Sequence, residues 1–142
     1  IKIYKSRLDE NNIKKIIKNY EIIIDGSDNF KTKFLINDYC KKLKKKLVTG
    51  AISKFDGHVF TFDFNDKKTA SLKSFYQENE ISDDDLNCEF EGVLGTTASI
   101  VGTTQANEAL KMIMKIGQTL KNQILIIDLL NLNFRKVKFN RK

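Results

Sequence analysis

The chain has 142 residues, enough for one packed core and too few for two. Hydrophobic residues make up 41% and charged residues 30%, which excludes general disorder, while two cysteines and one histidine exclude a disulfide framework and a protein-only metal cage. The 25 basic against 18 acidic residues give a formal +7, a hint of a polyanionic partner; yet Lys, Ile and Asn supply 52 residues (22, 17 and 13) and Arg only 3, so compositional bias is the simpler source and nucleic acid is not the expected partner.

The opening IKIYKSRLDENN carries no signal-peptide core and no initiator Met. It reads as an entry into the middle of a longer chain in a reducing, cytoplasmic setting. Residues 1–4 suggest a short strand, and 9–20 place Ile13, Ile16 and Ile17 at helical spacing. EIIID (21–25) is a β-branched run of the kind buried on both faces of a sheet. Gly26-Ser27-Asp28-Asn29 is then a turn and helix start. The next helix spans 30–45, with Phe34, Leu35, Asp38, Cys40 and Leu43 around its surface, and ends in KKLKKK, cations suited to a helix C-terminus. Residues 47–49 predict a short strand closed by Gly50-Ala51. HVFTFDF (58–64) alternates, which predicts a strand exposed on one face.

Residues 65–91 are polar and aperiodic, a long loop of the functional kind. The helix opening in 92–102 continues through QANEALKMIMKI, with Ala106, Leu110, Ile113 and Met114 as its apolar stripe and Gly117 as its C-terminal cap. Residues 124–128 and 133–139 form a closing hairpin. The apolar stretch 124–132 is broken by Asp128 and Asn131, too short for the ~18–20 residues of a membrane span. The expected fold class is α/β: a mixed sheet with parallel strands first, antiparallel hairpin strands last, and helices packed on it.

Chemistry concentrates at IIIDGSDNF. Ligands of open α/β sheets sit beyond the carboxyl ends of strands, and here Asp25 and Asp28 arrive at that edge beside a helix N-terminus that favours phosphate. A carboxylate there can hold Mg²⁺; equally, Asp28 or Ser27 can simply cap the helix. Cys88, in LNCEFEGVLG, precedes a Gly-rich helix start that would lower a thiol pKa. Cys40 reads as an inert core residue and His58 as a packing or surface residue.

Four blocks now carry a resemblance: YEIIIDGSDNFKTKFLINDYC, KLVTGAISKFDGHVFTF, CEFEGVLGTTASIVGTTQANEALKMIMKIG and LLNLNFRKVKF. In this order they resemble the ThiF/MoeB/HesA adenylyltransferases, relatives of ubiquitin-activating enzymes. The resemblance implies an enzyme that uses Mg-ATP to adenylate the C-terminal Gly-Gly carboxylate of a small ubiquitin-fold sulfur-carrier protein, for thiamin or molybdopterin synthesis, and that forms a homodimer. By the motif D-x-[ST]-D-N, it implies that Asp28, the metal- and phosphate-side carboxylate, Asn29, which shapes its turn, and Lys33, standing where relatives often have Arg, are the cofactor-binding residues. Cys88 is implied as a second catalytic residue, one that can bond the carrier covalently in ThiF-like members and that MoeB-like members need not use.

Where relatives with structural zinc carry Cys-x-x-Cys, this chain has Ser71-Leu72-Lys73-Ser74, and past its final strand only Asn140-Arg141-Lys142; no zinc site is expected. The resemblance makes 1–142 the C-terminal portion of one adenylyltransferase domain. The Gly-rich nucleotide-binding half lies upstream, 65–91 is a crossover loop over the carrier's tail, and the portion alone is inactive. The alternative is a docking domain of the same fold that has lost zinc and activity.

Overall fold

The computed structural model of the chain describes residues 1–76 and 92–139. Its sheet has five strands in chain order: β1 (Ile22–Asp25), β2 (Lys46–Ser53), β3 (Asp56–Asp63), β4 (Gln123–Asp128) and β5 (Asn133–Lys138). β1 and β2 pair in parallel across the connecting helix α2 (Phe30–Lys42), and every later pair is antiparallel. This is the mixed sheet expected from the sequence.

Two cores lie on opposite faces. The short helix α1 (Ile13–Ile17) and α2 cover one face, where Ile13, Ile17, Phe34, Ile36 and Cys40 meet Leu47, Phe60, Phe62, Phe64 and Ile124. Helix α3 (Gly95–Met114) covers the other, setting Val101 and Ala109 on Val48, Val59 and Ile127. β3 is therefore buried on both faces rather than one. Its aromatic positions enter the first core, while Val59 and Thr61 lie under α3, the Thr61 hydroxyl donating to Glu108 at 3.1 Å.

The stripe expected to anchor α3 points the wrong way. Leu110, Ile113 and Met114 are 50%, 63% and 53% exposed, whereas Thr97, Val101, Gln105, Glu108 and Ala109 are buried. The polar members can be inside because each answers a specific group. Gln105 Nε2 donates to the Asp25 carbonyl at 2.8 Å, and Glu108 accepts the Leu120 N–H at 2.8 Å. Close approach of α3 to the sheet also needs glycine: a Cβ on Gly50 would stand 2.8 Å from Val101 Cγ1, and one on Gly57 would collide with Val101 Cγ2.

Other boundaries shift. Residues 1–4 form no strand, α1 is shorter than the helical pattern, and β2 runs straight through Gly50-Ala51 because β3 pairs with its full length. α3 ends at Lys115, in the left-handed region at φ 54°, two residues before the expected Gly117.

Candidate functional site

β1 delivers Asp25 to the carboxyl edge of the sheet, where burial leaves it 2% exposed and it becomes an anchor. Its Oδ1 accepts the Ser27 N–H at 2.8 Å and the Ser27 hydroxyl at 2.6 Å, folding the chain back after the strand. Its Oδ2 accepts the Thr49 hydroxyl at 2.6 Å and Lys33 Nζ at 3.2 Å. Lys33, 5% exposed, also donates to the Gly50 carbonyl. A charge this deeply buried is tolerable only when paired and hydrogen-bonded, as this pair is.

Helix capping falls to neither Ser27 nor Asp28. Asn29 Oδ1 accepts the Thr32 N–H at 2.8 Å and starts α2. Asp28 is thereby left exposed, with Asn29 Nδ2 donating to its Oδ1 at 3.0 Å. That bond first, then its own backbone N–H, then the cations of Lys33 and Arg7, hold its carboxyl below the usual carboxylate range. It is a ready anion at neutral pH.

Beside it opens a cavity of about 300 Å³, bounded by the 26–28 turn and Phe30, by Gly50, Ala51 and Ile52 of β2, and by Val93, Ala98, Val101 and Gly102 at the start of α3. The N-terminal ends of α2 and α3 thus both border one mostly apolar space. α3 begins at Leu94, and among the described residues no side chain caps its first N–H groups. Two positive helix ends and one carboxylate suit a site that holds negative charge on one side and a cation on the other. Asp28, a hard oxygen donor kept ionised, fits a magnesium ion.

Cys88 and residues 77–91 of the expected crossover loop lie outside the described residues. Ser71 and Ser74 form a reciprocal capping box around a 3₁₀ turn (Leu72–Ser74), and the turn is pinned by Leu72 N–H donating to Asn37 Oδ1 at 3.1 Å. Phe75 and Tyr76 then pack on Phe60, with the Tyr76 hydroxyl 2.6 Å from His58 Nδ1. Neutral hydroxyls already engaged in a turn do not fit a zinc clamp. Among the described residues no three His, Cys, Asp or Glu side chains form a group able to hold a metal. Cys40 is buried, and burial pushes its thiol up to about 12, so it is chemically quiet. No helix among the described residues is long and apolar enough to cross a membrane.

Sequence reasoning overlooked Thr49, Gly50 and Gln105. The signal for Gln105 was available: Thr97, Val101, Gln105, Glu108 and Met112 keep helical period, and a polar residue on that line implies a buried partner.

The model of the ThiF family matches residues 1–142. The chain is 40% identical over 139 residues to a probable molybdopterin-synthase adenylyltransferase of Pyropia yezoensis, covering 97% of this chain and 36% of that protein. It is 33% identical over 144 residues to the sulfur carrier protein adenylyltransferase of Thermus thermophilus, covering 99% and 53%. Among solved structures it resembles E. coli MccB with SeMet MccA at TM-score 0.76 and 14% identity, over 99% of this chain and 42% of that one. E. coli MccB with ATP scores 0.76 at 13% identity, over 99% and 43%. At such identities the structural likeness is one of fold. The chain spans about a third to a half of the length of these curated relatives.

Proposed function

The chain belongs to the ThiF family, and on that premise we propose that it supplies part of an adenylyltransferase acting with Mg-ATP on the C-terminal carboxylate of a small sulfur-carrier protein. The observation that carries the proposal is the convergence of Asp28 with the N-terminal ends of α2 and α3 on one cavity. A carboxylate is a poor electrophile; joining it to AMP provides a leaving group, and the reaction gathers negative charge that helix N-termini and a divalent cation offset. Magnesium, when bound, would neutralise phosphate charge, and Asp28 is the residue here that would hold it. Asp25 fixes the turn that aims Asp28, and Lys33 neutralises Asp25.

The carrier's tail is proposed to end in Gly-Gly, a thin chain that would lie against the small residues Gly26, Ala51, Ala98 and Gly102 of the cavity wall. Residues 1–142 are proposed as the C-terminal portion of the domain, with the nucleotide loop upstream, 65–91 crossing over the tail, Cys88 a candidate nucleophile, no zinc, and a cytoplasmic homodimer as the working form. Names of relatives favour a molybdopterin-type carrier over a thiamin one.

The test is carrier-dependent ATP–pyrophosphate exchange by the full-length protein. Asp28→Asn should lower it by roughly 100-fold or more with the melting temperature unchanged, since Asp28 is exposed. Exchange that persists in the variant removes Asp28 from its role, and its absence in the wild type favours the docking-domain alternative.

A further inference from the structure

We propose that the chain carries a second binding surface, a face for nucleic-acid phosphates where the C-terminal ends of α1 and α2 meet. In the sequence the two lysine runs are far apart; the fold joins them. Lys14 and Lys15 lie in the last turn of α1 and Lys18 follows it. Lys41 and Lys42 close α2, followed by Lys44 and Lys45. Lys45 Nζ donates to the Lys18 carbonyl at 2.8 Å, tying the two helix ends together.

Neither 11–20 nor 39–46 contains a carboxylate, and the neighbouring Glu21 is taken by Lys46 at 2.7 Å. Lys14, Lys15, Lys18, Lys41 and Lys44 are exposed, and among the described residues their side chains have no hydrogen-bond or ion-pair partner. A compositional bias scatters its lysines. Here the Lys45–Lys18 contact brings two runs, seven lysines in all, to adjoining helix ends. Helix C-termini favour a cation or two each, but seven unneutralised together repel one another, and a polyanion relieves that repulsion.

The composition of the face selects the partner. Protein interfaces are depleted in Lys and centre on aromatic and aliphatic side chains. The aromatic side chains of these two segments are Tyr20, 41% exposed, and Tyr39, beneath Lys42 at 5.8 Å, with Ile16 and Leu43 only half-buried beside them. Without Arg it cannot make forked contacts; point charges on flexible stems suit backbone phosphates read by charge density. The rise of α2 places this face roughly 20 Å from Asn29, so it is independent of the cavity and of the activity proposed there.

The test is fluorescence anisotropy of the full-length protein with short labelled duplexes of DNA and of RNA. Five phosphate contacts predict a fall in affinity of roughly 500-fold between about 50 and about 200 mM salt. The triple variant Lys15→Glu, Lys41→Glu, Lys44→Glu should abolish low-salt binding while its melting curve stays cooperative; should it unfold, Gln at the same positions should flatten the salt slope by about 3 contacts. Binding to one duplex and not the other identifies which nucleic acid is taken. No low-salt binding to either duplex, an unchanged slope in the folded variant, or tighter binding to polyglutamate, which would mark an acidic protein partner, overturns the proposal.

Discussion

Two aspartates three residues apart do opposite jobs because one is buried and the other is not. The Asp25 carboxylate spends its described contacts on Ser27, Thr49 and Lys33, whereas Asp28 keeps one oxygen for Asn29 and lines the cavity. The difference predicts how mutants separate. Lys33→Met leaves a carboxylate buried without its cation, and removing one partner of a buried pair costs about 3–5 kcal/mol. The full-length variant should therefore melt much lower in a thermal unfolding experiment. A Lys33→Met protein that melts like the wild type but binds ATP poorly would make Lys33 a ligand-side cation instead. The geometry favours the structural role, because its Nζ is shared between Asp25 and the Gly50 carbonyl.

At the scale of elements, the sheet edge was legible and the helix face was not. EIIID followed by GSDN announces a strand, a turn and a helix start in consecutive residues, and all of them stand in the structure within a residue or so. α3 misled because Leu110, Ile113 and Met114 are more apolar than Gln105 and Glu108, yet its seat is decided by shape and by buried backbone groups. Gly50 and Gly57 are the sequence trace of that shape, and glycine within a strand is a known sign of close approach. Gly57→Ala should cost about 1–3 kcal/mol by overpacking, since its Cβ meets a branched side chain that cannot swing away. Val101→Ala in the same chain should recover part of that loss. A double-mutant cycle on chemical denaturation measures the recovery; purely additive losses would mean that α3 does not seat on Gly57 as described.

Across the whole molecule, residues 58, 60, 75, 76 and 139 assemble one aromatic cluster from β3, the 3₁₀ turn that follows it and the end of β5. His58 is its only titratable member near neutrality, and the only histidine in the chain. Burial lowers its pKa from the ordinary value of 6.5, opposed by the nearby Asp56 carboxylate. Its neutral ring sits within hydrogen-bond distance of the Tyr76 hydroxyl, whose own pKa burial raises. The sign follows from proton counting. With the folded pKa below the unfolded one, the unfolded chain takes up a proton first as the pH falls, so stability drops from 6.5 down to the folded pKa and is level outside that window. The carboxylates Glu21, Asp28, Asp66 and Asp128 also have lowered values, and they titrate at more acid pH than this window. Chemical denaturation between pH 7.5 and about 5 should show this decline in the wild type and lose it in His58→Gln. The amide can still bond the Tyr76 hydroxyl but does not take up a proton. An equal decline in both proteins would place the responsible proton elsewhere and remove His58 as the acid-sensitive link between β3 and the serine-capped turn.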